Sequence, residues 1–113
     1  MPSTHLLTSR SDFNPYTYLG NDMCSVGFLR PGMQVVVRDH EGALLGSDFI
    51  SARTYSTGSF TSVYRCRVTW SVTVPDRSFY QVEMAGQSMV HSRADLEAAG
   101  WKLVAVSSNV PLD

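Results

Sequence analysis

Residues 63–74, "VYRCRVTWSVTV", alternate in polarity along almost their whole length. Tyr64, Cys66, Val68, Trp70, Val72 and Val74 fall on one side, and Arg65, Arg67, Thr69, Ser71 and Thr73 on the other. A period of two marks a β-strand with one face on a core and one in water. Pro75 lacks the N–H that a ladder needs and stops the strand there. A strand this long needs a second layer over its apolar side, and Trp70 is expected to point into that layer.

The same reading extends in both directions. Upstream, Met33, Val35 and Val37 alternate with Gln34, Val36 and Arg38. "DHEG" (39–42) supplies a turn in which Gly42 takes left-handed backbone, and the chain returns over Ala43–Ile50 to complete a hairpin. Residues 51–62, "SARTYSTGSFTS", are expected as a long mobile connection. Downstream, "PDR" makes a corner, Ser78–Met84 another strand, "AGQS" a turn, and Met89–His91 a short strand at most. In "SRADLEAAG" the period changes. Ser92 is placed as an N-cap with Asp95 three residues later, Ala94, Leu96, Ala98 and Ala99 favour helix, and Gly100 supplies the stop. So short a helix is marginal alone, so Leu96 has to be buried. Trp101, Leu103 and Ala105 then alternate in a closing strand.

Roughly six short strands and one helical turn predict an all-β fold, an immunoglobulin-like β-sandwich with one short helix before the last strand. A small SH3-like barrel is the alternative, because the 32–46 hairpin also suits its early strands. The length of 113 residues suits one domain. Residues 1–22 carry Pro2 and Pro15 and hold no sustained period, so they read as a flexible N-terminal arm. Residues 23–106 read as the sandwich domain and 107–113 as a C-terminal tail. With 43% hydrophobic and 17% charged residues the chain is expected to fold rather than stay disordered. A net charge of −1 offers no general field for nucleic acid, and no apolar run reaches the length of a membrane span. No apolar leader opens the chain, which reads as cytoplasmic as written, or as secreted if a signal segment has been removed.

Chemical signatures are sparse. Asp39, His40 and Glu41 sit together, but neighbours in a tight turn diverge, so a solvated hairpin tip is expected rather than a metal site. His91, Ser92, Asp95 and Glu97 contain the letters of a hydrolytic relay, yet Ser92 and Asp95 are better employed starting the helix. No phosphate-cradling glycine motif is present. No enzyme activity, catalytic residue, metal or cofactor is expected on these grounds. Three features suit binding instead: Tyr55 and Phe60 in the Ser/Thr/Gly-rich connection, Arg65 and Arg67 on the polar side of the long strand, and Tyr16 and Tyr18 in the arm. The expected function is a non-enzymatic protein–protein interaction module, as a homodimer or with a host or cell-envelope protein as its partner. A small-molecule binder or weak hydrolase centred on His91 is the alternative.

Cys24 and Cys66 are either two reduced buried thiols or one disulfide, and spacing does not decide between them. A bridge would close a loop of about 43 residues, worth roughly 4 kcal/mol in the chain-entropy account. Four pieces stand in order: Cys24, "GMQVVVRDHEGALLG" (32–46), "CRVTWSVTVPDRSFYQVEM" (66–84) and "HSRADLEAAGWKLVAV" (91–106). In that arrangement the chain resembles small actinobacterial exported or lipid-anchored β-sandwich domains of uncharacterised function, and similar proteins of phages of those bacteria. The resemblance covers about residues 24–106 and implies a two-sheet fold with the two cysteines bridged. The chain departs from the exported pattern in lacking a signal or lipid-attachment sequence.

Overall fold

The computed structural model describes residues 3–56 and 64–103. In chain order these form β1 (Thr4–Phe13), β2 (Thr17–Gly20), β3 (Met23–Ser25), β4 (Gln34–Arg38), β5 (Leu44–Phe49), β6 (Ser51–Ser56), β7 (Tyr64–Pro75), β8 (Phe79–Met84), β9 (Gln87–Ser92), α1 (Arg93–Ala98) and β10 (Lys102–Leu103). They make an all-β sandwich of two sheets, one ordered β10-β1-β7-β6-β3-β2 and the other β5-β4-β8-β9. The inner face of β7 supplies Cys66, Val68, Trp70, Val72 and Val74 to the core, where they meet Val35, Val37, Tyr80, Val82 and Met84 of the smaller sheet. Trp70 is buried, as the alternation requires. Tyr64 is not. It is 52% exposed, because it sits at the end of β7 opposite Ser56, where the core row has run out.

The stretch read as an N-terminal arm is built into the larger sheet. β1 pairs antiparallel with β7 from Thr4↔Pro75 to Phe13↔Cys66 and buries Leu7 completely. Its inward positions include Ser9 and Ser11, so the polarity alternation that marks β7 is absent from β1 although the geometry is the same. The 51–62 connection is likewise strand over Ser51–Ser56, and the rest of it, with Phe60, lies outside the described residues. β5 and β6 are one nearly continuous ribbon that changes sheets at Ile50. The Ile50 N–H donates to the Met33 carbonyl at 2.8 Å, and its own carbonyl accepts from the Gly32 N–H at 2.9 Å. A corner of this kind lets a single strand serve two layers. Gly46 makes the approach possible: a Cβ there would lie 2.5 Å from Val72 Cγ1.

The turn at 39–42 forms as expected. Asp39 accepts from the Glu41 and Ala43 N–H groups at 2.9 Å each, and Gly42 has φ +85°. β9 is longer than expected, because Ala85 and Gly86 alone make the turn, with φ of 52° and 76°, leaving Gln87 and Ser88 to the strand. Helix α1 starts where Ser92 Oγ accepts the Asp95 N–H at 3.1 Å. It stops in a Schellman arrangement, with Trp101 N–H to the Leu96 carbonyl at 2.8 Å and Gly100 N–H to Glu97 at 3.1 Å. Leu96 is buried. The helix carries the chain from one sheet to the other, where β10 pairs parallel to β1 through Thr8↔Lys102 and Ser9↔Leu103. Trp101 stacks on His5 at 3.9 Å, and Asp76 receives both His5 Nε2 at 3.2 Å and Arg93 at 3.1 Å. The continuation of the closing strand past Leu103, and the 107–113 tail, lie outside the described residues.

Cys24 and Cys66 form a disulfide, both fully buried. β6 stands between their strands, and two strands apart in a flat sheet the Cα atoms would be about 9–10 Å away from each other. They are 5.9 Å apart. β3 shares a single register pair with β6, Met23↔Arg53, so the chain is free to bend inward immediately after it.

Candidate binding face

Alternation on β7 puts Arg65, Arg67, Thr69 and Ser71 on the outer surface of the larger sheet, and register carries that surface across its neighbours. Asp12 of β1 stands opposite Arg67, Arg53 of β6 opposite Arg67 on the other flank, and Tyr55 opposite Arg65. Thr8 of β1 stands opposite Lys102 of β10, and Arg10 follows two residues along the same face. The outward positions of β1, β6, β7 and β10 among the described residues therefore hold five cations, Arg10, Arg53, Arg65, Arg67 and Lys102, against one carboxylate, Asp12. The whole chain has a net charge of −1, so positive charge is segregated onto this face. Arg53 and Arg67 lie directly opposite each other, a like-charge pairing that costs stability unless an anion relieves it.

Asp12 relieves part of it. Arg67 Nε donates to Asp12 Oδ1 at 2.9 Å and a terminal nitrogen reaches Oδ2 at 3.4 Å, while the Tyr55 hydroxyl donates to Oδ2 at 2.7 Å. The guanidinium of Arg67 also lies over the Tyr55 ring, 3.8 Å from its centroid. The hydrogen bond from Arg67 is the main reason the Asp12 carboxyl titrates below the usual 3.8, with the Tyr55 hydroxyl and the charge of Arg10 acting in the same direction. A depressed folded-state pKa stabilises the fold fully above 3.8, and that contribution disappears as pH falls through the depressed value. Arg67→Met is therefore expected to be less stable than the parent at neutral pH and to converge on it in strong acid. Urea midpoints at a series of pH values check this. A gap that stays constant into strong acid would mean that Arg67 acts through packing on Tyr55 alone.

Next to this cluster the surface sinks into a groove of about 690 Å³. Thr8, Thr69 and Ser71 contribute hydroxyls to its lining, Arg10 and Lys102 flank it from β1 and β10, and Phe49, 63% exposed, stands at the sheet-switching corner. β6 has ended by this point, and Asp48 Oδ2 takes the Ser71 N–H at 2.9 Å. Both carboxylates that line the groove, Asp12 and Asp48, are thus already hydrogen-bonded within the protein. Arg10 and Lys102 have no ion pair among the described residues.

Of the residues singled out from sequence, Tyr55, Arg65 and Arg67 come together on this face. Tyr16 packs against the core, and Tyr18 stands opposite Cys24 on β2, on the other side of the sheet, with its hydroxyl accepting the Asp22 N–H at 3.3 Å. Glu83 is bound to Arg38 at 2.9 Å on the smaller sheet and does not join this face. Sequence reasoning missed Arg10, Asp12, Arg53, Asp48 and Lys102. His91 is half-buried opposite Tyr80, and burial pushes its pKa below 6.5 against the opposing charge of Asp95. Neither this groove nor the smaller one beside Gln34 and Gly86 includes His91 in its lining. No group of three or more His, Cys, Asp or Glu side chains suited to a metal occurs among the described residues. No family model, curated protein or solved structure matches the chain.

Proposed function

We propose that this chain is a non-enzymatic protein–protein interaction module whose outer large-sheet face takes an acidic segment of its partner. The observation that carries this reading is the imbalance at the groove: Arg10 and Lys102 are without ion pairs among the described residues, while Asp12 and Asp48 are held internally. A partner carboxylate in the groove offsets the mutual repulsion of these cations, and arginine forks can grip it through two nitrogens. Tyr55, fixed by Asp12 and Arg67, adds a rigid aromatic contact at low entropic cost. The disulfide suits an oxidising compartment, in keeping with a role in the cell envelope or against a host protein.

The test uses a fluorescein-labelled oligoglutamate peptide, read by anisotropy, with oligolysine and a single-stranded oligonucleotide as comparison arms. Oligoglutamate is expected to bind, to weaken as salt screens the face, and to be lost in the double variant Arg10→Glu/Lys102→Glu. Undiminished binding by that variant counts against the reading. So does preferential capture of the oligonucleotide, which would make the face a nucleic-acid platform.

A further inference from the structure

An edge strand leaves a row of backbone N–H and C=O groups unpaired, and proteins usually blunt such edges. Among the described residues, two of the four sheet edges are short, bulged or covered. β2 has four residues and a bulge between Tyr18 and Gly20. β10 is described over Lys102 and Leu103 only. The ladder of β5 is irregular beside Val37 and Arg38, and the strand is pressed onto β7 at Gly46. β9 is different. Its register with β8 is unbroken from Met84↔Gln87 to Phe79↔Ser92, and "QSMVHS" contains no proline, lysine, arginine or carboxylate. Val90 is 67% exposed and Met89 38%.

The turn decides which backbone groups face outward. Positive φ at both Ala85 and Gly86 defines a two-residue type I′ hairpin, in which the flanking residues Met84 and Gln87 are a hydrogen-bonded pair. Antiparallel ladders alternate, so Met89 and His91 direct their N–H and C=O groups toward β8. Ser88 and Val90 direct theirs away from it, to an edge that no other strand among the described residues pairs.

We propose that β9 is a self-association edge. A second copy of this chain adds its own β9 antiparallel, about a two-fold axis through Val90, and the two small sheets become one continuous sheet. This register sets Val90 opposite Val90 of the second copy, with both outward-facing backbone groups of each paired. Ser88 then meets Ser92, and Met89 meets His91. The pairing brings no two formal charges of like sign together, so the strand is its own complement. An acidic segment, by contrast, finds no counter-charge on β9. The edge thus serves a different partner from the cationic face on the other sheet, and the inference does not depend on the function proposed for that face.

Sedimentation equilibrium of the full chain across a concentration series tests this. The unaltered protein is expected to dimerise. Val90→Lys and Val90→Asp each set two like charges at the axis and are expected to raise the dissociation constant roughly tenfold or more. An equimolar mixture of the two variants is expected to regain the dimer, since opposite charges then meet. Amide exchange at Ser88 and Val90 is expected to slow in the dimer alone. Val90 is too exposed for either charge to threaten the fold. A chain that stays monomeric throughout, or variants that each dimerise like the parent, would overturn the proposal. Arg10→Glu/Lys102→Glu is expected to leave dimerisation unchanged, so the edge and the groove fail or survive separately.

Discussion

A chain lacking residues 1–13 is expected not to fold. Those residues supply β1, whose register with β7 runs ten residues from Thr4↔Pro75 to Phe13↔Cys66. Without them the inner-sheet edge of β7 is left as an open edge over most of its length, β10 has no strand to pair with, and the cavity left by Leu7 opens beside Val72. His5 also leaves, and with it the ring that stacks on Trp101 and the nitrogen that meets Asp76. Loss of one strand from the middle of a sheet removes more than most domains have to spare, since net stabilities are only about 5–15 kcal/mol. Far-UV circular dichroism and amide dispersion in a proton spectrum check the outcome. The milder variant Leu7→Ala is expected to fold and to lose about 2–5 kcal/mol. A truncated chain with native dispersion would return residues 1–13 to the role of a dispensable arm.

Replacing both cysteines by alanine is expected to lower stability by about 4 kcal/mol, read as a fall in the urea midpoint with the slope increased or unchanged. Cys24 and Cys66 are 42 residues apart in sequence, and the bridge removes from the unfolded chain every conformation in which they are separated. The effect falls on the denatured state more than on contacts in the native one, so the replaced protein is expected to keep its fold while losing its margin. Reduction of the unaltered protein under mild denaturant is expected to give the same midpoint as the double alanine variant. A shift of only a few tenths of that size would mean that the reduced unfolded chain is already constrained around this loop.

How much of this was legible in the sequence varied with what held each element. The β7 alternation, the β4–β5 turn and the α1 caps are local chemistry. Trp70 faces the core, Asp39 and Gly42 build the turn, and Ser92, Leu96 and Gly100 start, anchor and stop the helix, all as their residue types demand. β1 was illegible for a definite reason. Its inward face carries Ser9 and Ser11 where an isolated reading looks for aliphatic side chains, and it becomes a strand because β7 offers it a full ladder. β6 was hidden in the same way, its Ser/Thr-rich sequence being organised by β7 on one side and by the bend at Ile50 on the other.

The binding face divides along the same line. Arg65 and Arg67 announce themselves on β7 because residues two apart on a strand share a side. Arg10, Asp12, Arg53 and Lys102 lie far from them in sequence and join them only through register. Tyr55 was recognised as an aromatic for binding, but its fixed orientation under Arg67 and against Asp12 is a property of three strands together. Sequence by itself determined which segments alternate, turn and cap, because those choices are made between residues only a few positions apart. Tertiary structure alone decided that an arm is a central strand, that Cys24 meets Cys66, and that five cations share one surface, because strand pairing joins residues that no local pattern connects.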